Sequence, residues 1–478
     1  MAEGSTQGGL GTAGTELQAR LDRLRDAWMT RIPSYAQRMD DLKRLRAAIL
    51  KYGEKFIAAA NSDFGQRSRH ETISADLLMS LHEVDYIRAH LKRWMKPERV
   101  MVDWKFLPAS AEIRWQPLGV IGVMSPWNYP INLALMPLAA AIGAGSHVLL
   151  KPSEHTPTVS AVLAELVAEV FPPDRVDVVL GGPEVAAEFS TLPFDHLVFT
   201  GATSIGHHVM AAAAKHLTPL TLELGGKSPT LIGPGADVEH AAKRIVAMKF
   251  LNAGQTCIAP DYVLVTEGQR EPLLAALRRE IANAYPQLAN NPDYTRIINA
   301  RQYQRLEGGL AEARSRGAKV EMIEPGGPAA SVETRLFPPT LVSDCPDDAQ
   351  LMVDEIFGPI LPVRTYLSFH EALEYVRARP RPLAFYLFDR DRGRIDYALE
   401  RIVAGAVCIN DAAMHFAQPQ LPFGGVGPSG MGHYHGLHGF RAFSKAMPVF
   451  HQARFSGIWL LKPPYGALAD RMLGFLFR

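Results

Sequence analysis

Residues 196–214 read HLVFTGATSIGHHVMAAAA, and their order decides the fold. The apolar run Leu197-Val198-Phe199 ends at Gly201, and an alanine-rich stretch with helical character opens within a few residues. A strand that turns at glycine into a helix is one half of a βαβ unit. Gly201 permits the turn, and Gly206 lets a backbone or a ligand approach closely. The free N–H groups at such a helix start form an anion site suited to a pyrophosphate. The spacing is G-x-x-x-x-G, not G-x-G-x-x-G, and no P-loop lysine follows. From this stretch alone, a tight turn with nothing bound reads equally well.

The same alternation extends in both directions. Upstream, Val120 to Met124 is a buried-strand candidate that ends at Ser125 and Pro126. LALMPLAAAIGAG (133–145) follows as a helix, HVLLKPS (147–153) as a strand and 158–171 as a helix. VDVVLGG (176–182) and PLTLELGG (219–226) are further strands. Downstream come LIG (231–233), a helix over 237–252, DYVLVTE (261–267) and a helix over 270–284. Later strands lie near 361–366, 384–388 and 406–409. Repeated strand–helix alternation predicts parallel sheets, here in two α/β lobes meeting near residue 220. Before them, Leu17, Leu21, Leu24 and Trp28, then Leu42, Leu45 and Ile49, carry a helical period broken at Pro33. Residues 102–116 lose that period and read as a short hairpin or arm.

Composition narrows the function classes. The 478 residues are 47% hydrophobic and 21% charged, with a formal net charge of +1. That balance gives no support for a nucleic-acid or acidic partner. Three cysteines without a CxxC make no disulfide framework and fit a reducing compartment such as the cytoplasm. Cys345 and Cys408 read as packing residues. MAEGSTQGGLGTAG lacks the basic and apolar regions of a signal peptide and reads as a flexible arm. No run of about 18 apolar residues predicts a membrane span. The end of the chain, GIWLLKPPYGALADRMLGFLFR, either docks on this chain or a partner subunit, or lies on a membrane interface.

Four further segments carry chemistry. Lys151 and Glu154 stand just past a buried strand, where α/β sheets bind ligands, and could hold ribose hydroxyls or form a solvated turn. Glu223 lies between Leu222 and Leu224, so burial should raise its pKa towards that of a general base. Pairing with a lysine such as Lys227 is the other reading. Asn128, in the proline-bounded loop PWNYP (126–130), could donate to a developing oxyanion or be a turn residue. Cys257, in GQTCIAP (254–260), completes the set as a candidate nucleophile.

Taken together, PWNYP, KPSE, FTGATSIG, LELGGKSP, GQTCIAP, EIFGP (355–359) and LPFGGVGPSGMG (421–432) resemble the NAD(P)-dependent aldehyde dehydrogenase superfamily. The likeness runs from about residue 17 to 450. DFGQRSRHET (63–72), LKRWMKP (91–97), GQTCIAPDYV (254–263) and GMGHYHGLHGF (430–440) resemble its class 3-like branch, and within it the bacterial coniferyl aldehyde dehydrogenases. AGN and GST of many members are here Ala144-Gly145-Ser146 and Gly201-Ala202-Thr203, conservative changes that leave the chemistry untouched.

The resemblance implies a specific plan. A Rossmann-type cofactor domain (17–100 and 117–222) would stand beside a catalytic domain (223–410). An N-terminal arm (1–16), oligomerisation or bridging segments with a small β arm (101–116 and 411–450) and a tail (451–478) would complete it. Cys257 would form a thiohemiacetal and then a thioester, with Asn128 on the oxyanion and Glu223 activating water. Lys151 and Glu154 would face the adenosine ribose, and Gly201 to Gly206 the pyrophosphate. Glu355 and Phe357 would hold the nicotinamide ribose region, with Trp127, Tyr129 and Phe423 as cofactor or substrate walls. NAD is the expected cofactor, because Glu154 repels a 2′-phosphate, with NADP also used in the branch. A homodimer and a small aldehyde substrate follow. An aromatic aldehyde is favoured over a medium- or long-chain aliphatic one, and CoA acylation is disfavoured by Glu223. His433, His435 and His438 have no cysteine or carboxylate partner in the sequence, and no metal is expected.

Overall fold

The structure, a computed structural model, describes residues 10–454, 456 and 462–477. Its first helix starts at Leu10, inside the stretch expected as a free arm, while residues 1–9 lie outside the described residues.

Two α/β layers carry the molecule. The first sheet has six strands in the order Gly430–Met431, Leu220–Leu224, His196–Gly201, Val120–Met124, His147–Lys151, Val176–Val178. The second has seven, in the order Lys319–Met322, Thr340–Ser343, Ile360–Tyr366, Tyr262–Thr266, Pro229–Ile232, Ala384–Phe388, Ala406–Ile409. Each sheet is parallel except for one antiparallel edge strand, Gly430–Met431 in the first and Lys319–Met322 in the second. The α/β class and parallel sheets read from the alternation, and the Rossmann-type layer the resemblance implies, are therefore what the chain forms.

Several boundaries differ from the sequence reading. Glu223 belongs to the first sheet, because strand Leu220–Leu224 runs through the expected boundary after residue 222. Segment 411–450 is not one bridge: Gly430–Met431 joins the first sheet, and Ser444–His451 joins a separate three-stranded sheet with Ser110–Pro117 and Glu98–Val100. The small β arm thus begins at Glu98 and includes Pro117. The edge pairing at Gly430 needs glycine. Its φ is +143°, and a Cβ there would lie 2.1 Å from the Leu222 carbonyl oxygen.

Helix Asn132–Ala144 explains a run without amphipathic period. All its residues are buried, and it packs between the first sheet and helix Leu78–Trp94. The terminal helix Ala467–Leu476 buries only Ala469, and Leu468, Phe475 and Phe477 stay exposed. Among the described residues, its apolar face therefore finds no docking site. No helix of the described residues is long and apolar enough to cross a membrane.

The N-terminal helical layer is tied in by charge. Arg67 Nη2 meets Asp76 Oδ2 at 2.8 Å, and both side chains are fully buried. Asp76 lies in the π-helical turn Thr72–Leu77, and its other oxygen accepts from Asn132 N at 2.9 Å. Removing one partner strands a buried charge. Asp76→Ala should cost about 3–5 kcal/mol in urea unfolding. Lys55→Ala, at an exposed pair with Glu165, should leave the midpoint unchanged.

Candidate active site

A cavity of about 890 Å³ opens between the two sheets at the carboxyl ends of the first sheet's strands. In open α/β sheets this is where ligands bind. Trp127, Asn128, Gly201, Glu223, Cys257, Glu355 and Phe357 all line it. Seven residues singled out in five separate sequence segments thus share one surface.

Cys257 is presented by a strained turn. Asn252, Ala253 and Gly254 have φ of 52°, 51° and 73°, three left-handed residues in succession. Gly254 is fixed by close contact. A Cβ there would stand 2.3 Å from the Gly358 carbonyl oxygen, so GQTC presses directly on EIFGP. The buried Gln255 side chain pins the turn by donating to the carbonyls of Asn252 (2.9 Å) and Arg296 (3.0 Å) and accepting from Ile298 N (2.9 Å). The Cys257 thiol reaches the cavity, but burial pushes its pKa up, and the carboxylates of Glu355 and Glu223 push it further.

Asn128 is held from both ends. Its Nδ2 donates to Gln255 O at 3.2 Å, two residues from Cys257, which leaves its second N–H free. Its backbone carbonyl accepts from Arg67 Nη1 and from Asn252 Nδ2, each at 2.9 Å. The Arg67 guanidinium also lies over the rings of Phe64 and Tyr129, at 4.7 and 5.2 Å. A buried cation therefore fixes the loop that carries the amide.

Two carboxylates complete the chemistry. Glu223 is buried, neither of its oxygens has a hydrogen-bond partner, and burial raises its pKa well above the usual carboxylate range. Lys227 is not its counter-ion: that ammonium binds Asp261 and the carbonyls of Leu351 (2.8 Å) and Asp354 (2.9 Å). Burial, then the charge of Asp261, pushes Glu355 up to about 8. Gly225 makes room for it, since a Cβ there would lie 1.8 Å from Glu355 Oε2.

The remaining candidates lie around this centre. Lys151 and Glu154 pair with each other at 3.4 Å, at the end of strand His147–Lys151, outside the cavity lining. Gly206 also stands behind the wall, where a Cβ would press on the Leu224 side chain at 2.7 Å. Helix Thr203–Ala213 starts with no side-chain cap, and Thr203 and Ser204 line the cavity, so its first N–H groups are available to an anion. Tyr129 and Phe423 do not line the cavity. Tyr129 is buried with its hydroxyl 2.7 Å from Thr256 Oγ1, and Phe423 stacks on His435 at 5.3 Å between ring centres. His435 is buried there, while the rings of His433 and His438 meet edge-on at 5.3 Å between centres. Cys408 is buried 3.3 Å from His415 Nδ1.

Sequence reasoning missed Arg67, Glu71 and Asn252. The first two sit in DFGQRSRHET, quoted only for its likeness, and their partners are distant in the chain. Asn252 alone carried a local signal, as an asparagine two residues before the glycine of GQTC.

Glu355 yields a pH prediction. Its folded pKa exceeds the unfolded value, so the protonated form favours folding, and that stability is lost as pH rises to about 8. The stability of Glu355→Gln relative to the parent should grow between pH 5 and 8, by on the order of a few kcal/mol, and level off above. Thermal melts of both proteins across that range measure it.

Comparison with known proteins gives the kinship. The sequence profile of the aldehyde dehydrogenase family matches residues 25–449. A probable coniferyl aldehyde dehydrogenase of Pseudomonas aeruginosa is 47% identical over 97% of this chain and 96% of its own. A coniferyl aldehyde dehydrogenase of a Pseudomonas species is 44% identical over 96% of both chains. A substrate-bound AldH of Staphylococcus aureus superposes with a TM-score of 0.91 at 35% identity, covering 96% of this chain and 99% of that one. With its two parallel sheets and the cavity between them, the chain belongs to the aldehyde dehydrogenase family.

Proposed function

We propose that this protein oxidises an aromatic aldehyde, of the coniferyl aldehyde type, to its carboxylic acid with NAD as cofactor. The convergence of Cys257, Glu223 and Asn128 on one cavity carries the reading. The cavity fits a dinucleotide: it has an uncapped helix start, the Gly225 cradle beside Glu355, and the aromatic walls Trp127 and Phe357 at 5.3 Å. Thr203 and Ser204 would take the pyrophosphate, Glu355 and Phe357 the nicotinamide end, and Lys151 with Glu154 the far ribose. Glu154 disfavours a 2′-phosphate, leaving NADP as the weaker alternative.

The chain's residues divide the work. Cys257 attacks the aldehyde carbon as a thiolate and forms a thiohemiacetal. The free N–H of Asn128 and the Cys257 backbone N–H hold the oxyanion. When bound, the dinucleotide supplies the hydride acceptor and a cationic ring that favours the thiolate. Loss of hydride leaves a thioester on Cys257. Glu223, as a carboxylate, then takes a proton from water as the water attacks the thioester carbon. The acid departs and the thiol returns. The buried base argues for water over a thiol acceptor such as CoA. Free, unpaired cysteines suit the cytoplasm. The aromatic preference is supported by the two coniferyl-named relatives.

The same reading includes a homodimer. Met101 is 95% exposed, and Trp104, Phe106, Leu107 and Phe450 lie exposed beside it on the small β arm. Sedimentation velocity should give a dimer, and Trp104→Glu with Phe106→Glu should shift it to monomer.

Cys257→Ala should reduce aldehyde-dependent NADH formation to background, and survival of turnover would overturn the assignment. In a kcat/KM panel, coniferyl aldehyde should exceed C6–C12 aliphatic aldehydes by about tenfold or more, roughly 1.4 kcal/mol of discrimination. Acid should form without CoA. Preference for the aliphatic series would reassign the substrate class.

A further inference from the structure

Glu71 is a buried carboxylate at the end of the short helix Arg69–Glu71, and the chemistry above does not use it. It joins two distant segments. Asn252 N donates to its Oε1 at 3.1 Å, and Thr295 Oγ1 donates to its Oε2 at 2.5 Å. Asn252 is the first residue of the left-handed turn before Cys257, and its side-chain amide has two tasks. Nδ2 donates to the Asn128 carbonyl at 2.9 Å and to the Gln255 carbonyl at 3.2 Å. Asn128 Nδ2 reaches that same Gln255 carbonyl at 3.2 Å. One carbonyl, two residues before the nucleophile, thus collects both amides, and Glu71 anchors the residue that joins them.

A carboxylate is an expensive choice for this place. Burial pushes Glu71 up to about 7 even with the Arg67 charge opposing, and an apolar residue would fold at lower cost. What it supplies is direction. A turn with Ala253 at φ 51° persists only if its surroundings hold it, and a charged acceptor on the first N–H does so more firmly than a neutral one.

We propose that Glu71 is a positioning residue, whose carboxylate holds the turn Asn252–Gly254 and thereby sets the Asn128 amide for the oxyanion. This rests on the roles of Cys257 and Asn128 given above.

Kinetics of purified variants test it. Glu71→Ala should lower kcat/KM about 100-fold, the scale of a small misplacement at a reacting centre, with NAD affinity by calorimetry unchanged. Glu71→Gln, which keeps an acceptor for Asn252 N, should recover most of the loss. Because Glu71 acts through Asn128, the double variant Glu71→Ala/Asn128→Ala should be no slower than Asn128→Ala alone. If Glu71→Ala does not fold, Thr295→Val, which frees the same carboxylate, takes its place in the cycle. A parental kcat/KM for the Glu71 or Thr295 variant, or losses that multiply with that of Asn128→Ala, would overturn the inference. Cys257→Ala separates the two levels. If it is inactive while Glu71→Ala is not impaired, only the role of Glu71 falls; if it is active, the reading of the site falls.

Discussion

The fully buried contact between Arg67 and Asp76 is the constraint on which the site depends. Nη2 of the guanidinium donates to Asp76, Nη1 donates to the Asn128 carbonyl, and aromatic rings cover the group. Asp76 in turn accepts from the first residue of helix Asn132–Ala144. The pair therefore clamps the middle of loop 125–131 and its junction with the helix that follows, a helix whose residues are all buried. Burial pushes the Asp76 carboxyl up, so the pair stands only because Arg67 holds the charge close. Such a contact adds little net stability but admits only one arrangement, which is what the oxyanion role proposed for the Asn128 amide requires.

Burial in the centre so held disfavours charge. Glu223 and Glu355 are both pushed towards their protonated forms by burial, and the thiol of Cys257 is pushed towards its own. A site that withholds ionisation stays unreactive until something changes its field. On the proposed reading, cofactor charge favours the thiolate first, and Glu223 acts as a base only at the hydrolytic step. The two roles are separated by environment and not by residue type.

Much of the fold was legible, because strand–glycine–helix units are local signals: residues 196–214 contain a whole one. The elevated pKa of Glu223 was legible for the same reason, since Leu222 and Leu224 flank it on a buried strand. The contacts that organise the site were not. Lys227 lies four residues from Glu223, yet pairs with Asp261, beyond the turn of Cys257. The edge strand at Gly430 depends on a left-handed glycine meeting Leu222, a relation that no periodicity encodes. Tyr129 and Phe423 carried no sign that they would be packed behind the cavity and not along it.

The central claim is that Cys257 carries the acyl group and Glu223 releases it. Intact and peptide mass spectrometry of the Glu223→Gln variant, quenched after mixing with NAD and coniferyl aldehyde, tests this most directly. The account predicts one acyl group per chain, on the peptide containing Cys257, accumulating as the first equivalent of NADH appears. NADH production without an acylated Cys257, or an acyl group on Cys345 or Cys408, would contradict it.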